Sequence, residues 1–205
     1  MVEQVEEALG KNAISKSAKT GRILNVQDLN EVISEKKQER ISSGIRDLDI
    51  VLGGGILPAG VLLIAGQPGI GKSTLLMQIS AFIAGSKNVL YVSGEESAEQ
   101  VALRAKRLGA SKAKNLKFAA STSANDISAT IREGSFDLVI IDSIQTLAME
   151  EISSAPGTVS QITNSSNLII QAAKSSGTAV ILVGHITKEG SIAGPKTLEH
   201  LVDVV

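Results

Sequence analysis

Gly66-Gln67-Pro68-Gly69-Ile70-Gly71-Lys72-Ser73-Thr74 decides the fold of this chain. Its first eight residues read G-x-x-x-x-G-K-S, the pattern of a phosphate-binding P-loop. The flanks suit that reading. Gly60-Val-Leu-Leu-Ile-Ala65 is a short apolar run, as in a buried strand. The ten residues from Thr74 to Ile83 form an amphipathic helix pattern, with Leu75, Leu76, Ile79, Phe82 and Ile83 on one face. Glycines let backbone N–H groups close around an anion without a Cβ in the way, and the helix N-terminus adds its dipole. Residues Gly66 to Thr74 therefore read as a cradle for ATP. Lys72 is placed to reach the β- and γ-phosphates, and the Ser73 hydroxyl to ligate Mg²⁺. Lys72 is the one cation near the phosphates that the sequence makes evident.

Composition narrows the class. The 205 residues suit a single α/β core with a tail. Hydrophobic residues make up 43% and aromatic residues only 2%, so the core must be aliphatic. A net charge of −1 gives no general attraction to nucleic acid, so any such binding must come from local loops. The absence of cysteine excludes a thiolate nucleophile and Cys-ligated zinc in this chain. No apolar run approaches the roughly 18 residues of a membrane-spanning helix, and the start has no signal-peptide pattern. A cytoplasmic protein without a membrane partner is the expectation.

Residues 1–40 read as a linker-like N-terminal segment, with two helical turns over Val2–Leu9 and a mixed charge cluster over 35–40. From residue 41 to 205 the pattern is regular. A short helix closed by glycine is expected over Ser43–Gly53. Strands are expected over Asn88–Ser93, Leu116–Ala119, Phe136–Asp142 and Thr178–Gly184. Helices fall between them, around Ala98–Leu108, Asn125–Glu133 and Val159–Lys174. Such βαβ alternation with continuous apolar strands predicts a mostly parallel sheet flanked by helices. Ligands in such sheets sit beyond the strand C-terminal ends. Leu201–Val205 reads as a strand cut in mid-run, which suggests a fragment of a longer protein.

Three groups at those strand ends carry chemistry. Asp142 closes the apolar run Leu138–Ile141 and is the candidate Mg²⁺ carboxylate, acting through water. Glu95 and Glu96 follow Ser93, and one of them is expected to polarise the attacking water; both also fit the first turn of the next helix. His185 and Lys188 follow the last complete strand, where polar groups can face the γ-phosphate.

A resemblance adds to this reading. Leu52-Gly-Gly-Gly-Ile-Leu-Pro58, Pro68–Leu76, Leu90–Ser97, Ile141-Asp-Ser-Ile-Gln-Thr-Leu147, Ser154–Gln161 and Val183–Gly190 with Ala193–His200 resemble the RadA (Sms) family of bacterial DNA repair proteins. The likeness runs from about residue 41 to 205 and uses six separated motifs. It implies a RecA-like P-loop ATPase core acting in homologous recombination, hexameric rings on single-stranded or branched DNA, ATP-driven branch migration and a recombinase as candidate partner. It implies a water-activating role for Glu95 and a γ-phosphate-sensing role for His185. It places loops 148–160 and 187–197 toward DNA, with Lys188 and Lys196 as contacts. The chain departs from the family in lacking an N-terminal four-cysteine zinc finger. It stops before the family's Lys-Asn-Arg-Phe-Gly motif and Lon-protease-like domain, so a truncated ATPase core is the expectation. Two other readings stand beside this one. The chain could be a KaiC-like ring ATPase in signalling, or an ATP-binding module with negligible turnover.

Overall fold

The computed structural model describes Val26, Asp28, residues 39–185 and residues 198–205. The chain divides into two units, Met1–Lys37 and Gln38–Val205, and every named element lies in the second. Most of the expected 1–40 segment, including the Val2–Leu9 helix, lies outside the described residues, and so does the whole 187–197 loop.

In chain order the elements are α1 (Arg46–Val51), β1 (Val61–Gly66), α2 (Lys72–Ile83), β2 (Val89–Ser93), α3 (Ala98–Arg107), β3 (Leu116–Ala120), α4 (Ala124–Glu133), β4 (Leu138–Asp142), α5 (Val159–Ser176) and β5 (Ala179–His185). Short 3₁₀ turns at Ala110–Lys112 and Ile144–Thr146 complete the set. The five strands form one sheet in the order β1-β5-β4-β2-β3, and every named pairing is parallel. This is the α/β RecA-like P-loop arrangement that the sequence predicts.

The apolar runs explain why. All five positions of β2 and of β4 are buried, so each strand needs cover on both faces. Alternation splits their side chains between two layers. Leu90, Val92, Val139, Ile141, Val180 and Leu182 pack with Ile127 and Ile131 of α4 and Ile162 and Ile169 of α5. Val89, Tyr91, Leu138, Ile140 and Ile181 pack with Leu76, Ile79 and Ile83 of α2 and Val101 of α3. A fully buried Ile or Leu is worth roughly 1.5–3 kcal/mol. With so few aromatics, many such residues supply the core.

Local signals start and stop the helices. Ser97 and Gln100 form a capping box at α3. Ser123 accepts from the Asp126 N–H at α4, and Thr158 from the Gln161 N–H at α5. Each cap is worth about 1 kcal/mol. Gly177, at φ 75°, closes α5 two residues beyond the expected Lys174.

Three expectations need correction. The Ser43–Gly53 helix shrinks to Arg46–Val51, because the Ser43 hydroxyl and amide both bond the Asp49 carboxylate in a turn ahead of it. Phe82 does not share the buried face of α2. It is 59% exposed and lies over Gly44, while Met77 and Ser80 are buried instead. Leu201–Val205 is not a strand. It makes a single bridge, Val204 to Leu62, because the Asp203 side chain takes the Val61 N–H at 2.8 Å that a longer ladder would use.

Register sets up the functional edge. Gly66 lies opposite His185, and Ser93 opposite Asp142. Because Ile141 lies opposite Leu182, β1 and β5 run two residues past the ends of β2 and β4, and the four C-terminal ends form a stepped edge.

Candidate nucleotide site

At that edge lies a cavity of about 320 Å³. Its wall holds Pro68, Gly69, Gly71, Lys72, Ser73 and Thr74 from the P-loop, Ser93, Glu95 and Glu96 beyond β2, Arg104 of α3, Asp142 of β4 and His185 of β5. Gly66 precedes the cavity as the last residue of β1, while Gln67 and the 71% exposed Ile70 complete the loop.

The loop conformation requires its glycines. Gly69 and Gly71 have φ of 80° and 103°, in the left-handed region that L side chains rarely adopt. Gly71 is the N-cap of α2, so the first N–H groups of α2 carry no side-chain cap. Lys72 is only 8% exposed. Its Nζ donates to the carbonyls of Gly66 at 2.7 Å and Gln67 at 2.9 Å. An ammonium has three N–H groups, so one remains for an anion. Burial lowers the Lys72 pKa, and the charges of Asp142 and Glu95 oppose that shift.

Each of the three carboxylates is fixed by neighbouring side chains. Asp142 is 5% exposed, and its Oδ2 accepts from the Tyr91 hydroxyl at 2.7 Å. Glu95 Oε1 accepts from the Ser143 hydroxyl at 2.5 Å and lies 3.2 Å from His185 Nε2. An ionised carboxylate only accepts, so His185 donates from Nε2. Its Nδ1 is buried without a partner among the described residues. Glu96 instead pairs with Arg104 of α3. Burial is the largest influence and opposes the Arg104 charge, but the Glu96 hydrogen bond and the charges of Glu96, Tyr91 and Asp142 together raise its pKa.

The close approach that joins these groups depends on Gly94. A Cβ there would collide with the Thr146 hydroxyl in the 3₁₀ turn after β4. The Gly94 N–H donates to Asp142 O at 3.0 Å. The residues after β2 are thus held against those after β4, which brings Glu95 to Ser143.

The cavity therefore gathers Lys72, Ser73, Glu95, Asp142 and His185. The sequence reading missed Tyr91, Ser143 and Arg104. It also named Lys72 as the one evident cation. Arg104 corrects that, since its guanidinium lies on the same cavity wall.

A family model described as an AAA domain matches residues 34–191. The chain belongs to the AAA domain family. Within it, this AAA domain is similar to the DNA repair protein RadA of Pseudomonas aeruginosa, at 46% identity over 205 residues, covering 100% of this chain and 45% of the relative. It is similar to RadA of Brucella abortus at 48% over 195 residues, covering 92% and 41%. RadA of Bacillus subtilis is 44% identical over 205 residues, covering 98% and 44%. The AAA domain chain thus spans less than half the length of these curated relatives. No helix among its described residues is long and apolar enough to cross a membrane.

One predicted DNA-facing loop, 148–160, is described. The buried Gln161 side chain ties it down. Its Nε2 donates to the carbonyls of Met149, Ile152 and Ser154 at 3.2, 3.0 and 2.9 Å, and its Oε1 accepts from the Met149 N–H at 2.9 Å. Lys188 and Lys196 lie outside the described residues.

Proposed function

We propose that this chain is the ATP-hydrolysing core of a DNA repair protein of the RadA kind, acting on single-stranded or branched DNA and driving branch migration. The observation that carries the ATPase reading is the single cavity joining a P-loop lysine, a strand-end aspartate and a braced glutamate. Buried cationic Lys72, the uncapped start of α2 and the left-handed glycines fit a polyphosphate. Ser73 and Asp142 fit Mg²⁺, with Asp142 acting through water. The ion, when bound, supplies charge neutralisation at the phosphates.

The protein's own groups divide the remaining work. Lys72 and the P-loop amides hold and orient the phosphates. Glu95 holds the attacking water and takes its proton on Oε2, because Oε1 is occupied by Ser143 and His185. Glu96 is the weaker candidate, since it would have to leave Arg104 first. His185 joins β5 to the base, so a change at the γ-phosphate would be felt by the segment that follows β5.

The DNA reading rests on the similarity to RadA along nearly the whole chain. A ring of copies, hexameric as in the family, would let weak loop contacts add, and a recombinase would be a natural partner. Localisation is proposed as cytoplasmic. Turnover measured with and without single-stranded DNA tests this. Fluorescence anisotropy of a labelled oligonucleotide at low salt, with an ATP analogue present, should show weak binding with a shallow salt dependence. Replacing Lys188 and Lys196 with Ala should reduce it and leave ATP binding intact. Tight binding insensitive to both changes would place the DNA surface elsewhere. No binding under assembling conditions would favour a signalling ATPase or a nucleotide-binding module.

A further inference from the structure

We infer that Tyr91 is a positioning residue for the metal carboxylate. Its hydroxyl fixes Asp142 Oδ2, leaving Oδ1 to face the metal's water.

The argument starts from β2. Within the fully buried run Val89–Ser93, Tyr91 is the only aromatic residue, and it is the only tyrosine in the chain. A buried phenol needs a hydrogen-bond partner. Tyr91 stands opposite Ile140 in the parallel register, one step short of Asp142. Residues 140 and 142 project from the same face of β4. The long ring therefore crosses the step diagonally, and its hydroxyl meets Oδ2 at 2.7 Å. A Phe would fill the same space. Only the hydroxyl distinguishes the two, and among the described residues it bonds the carboxylate alone.

The contact has a fixed polarity, because a phenol O–H donates and an ionised carboxylate only accepts. No other side chain among the described residues donates to Asp142. Asp142 is 5% exposed, so little water is available to orient it otherwise. Groups that orient a metal-holding carboxylate typically change metal affinity or activity by about 10–100-fold when removed.

This inference rests on reading Asp142 as the Mg²⁺ carboxylate. The test compares ATP affinity in Mg²⁺ with ATP affinity in EDTA, for the full chain and for Tyr91→Phe, by the ATP-dependent rise in melting temperature. The affinity ratio should fall about 10-fold in Tyr91→Phe, with the EDTA value unchanged. An unchanged ratio overturns the inference, and so does an equal loss in both conditions, which marks a purely structural role. If the unaltered chain shows no ATP-dependent rise at all, the nucleotide reading itself fails.

A second measurement needs no substitution. The chain has one tyrosine, so growth on 3-fluorotyrosine places a single ¹⁹F label beside Asp142. Its resonance should move when Mg²⁺ joins the ATP-bound protein and return on chelation. A resonance indifferent to Mg²⁺ in an ATP-bound sample overturns the inference.

Discussion

Lys72→Ala removes most of the ATP-dependent rise in melting temperature. At ATP one hundred times its Kd, binding to the folded state alone adds about 2.7 kcal/mol. For a chain of this size that corresponds to a rise of roughly 5–10 °C. The loss should be large because Lys72 Nζ is already held at the loop by two carbonyls, so little ordering remains for binding. Arg104 is the other cation on the wall, but it is engaged with Glu96 and is a poor substitute. Differential scanning fluorimetry with and without Mg²⁺-ATP measures the effect. A full rise in Lys72→Ala would refute the P-loop as the phosphate site.

Glu95→Gln separates chemistry from binding. The amide keeps the size of the side chain and can still accept from Ser143. It cannot take a proton. Turnover should fall by about 10²-fold or more, while ATP affinity stays within a few-fold. Glu96→Gln should do much less to the chemical step. It removes the charge facing a largely buried guanidinium but keeps an acceptor, so its main effect should appear as lost stability, well below the roughly 3–5 kcal/mol of a broken buried pair, since the pair is also partly exposed. A phosphate-release assay on both variants decides between them. The reverse order of effects would make Glu96 the base, and no effect from either would make both residues helix-start acids only.

Much of this site could be read in the chain, for a physical reason. A P-loop is made by one contiguous stretch, so its glycines and lysine state their geometry locally. Asp142 is equally plain, being a charge at the end of an apolar strand. Tyr91 and Ser143 were not legible, since their partners lie 51 and 48 residues away and depend on strand register. Tyr91 still left one sign, a hydroxyl-bearing ring among the apolar residues Val89, Leu90 and Val92. Arg104 left another. It follows Val101 by three on the inner stripe of α3, where a charge needs a partner. Phe82 shows the opposite failure. Periodicity finds an apolar face but not how wide a face the sheet will cover. Leu201–Val205 failed because composition cannot show that Asp203 will turn its carboxylate onto a backbone amide.

That same Asp203 has a bearing on solubility. β1 is an edge strand, and its outer side is partly occupied by the 203–204 backbone and by the Asp203 carboxylate. Open strand edges invite pairing with other chains. Removing residues 198–205 would strip this shield from the strand that leads into the P-loop. A shortened chain should therefore form aggregates that light scattering detects well below the melting temperature of the longer one. Asp203→Asn should stay dispersed, because the amide oxygen can still take the Val61 N–H.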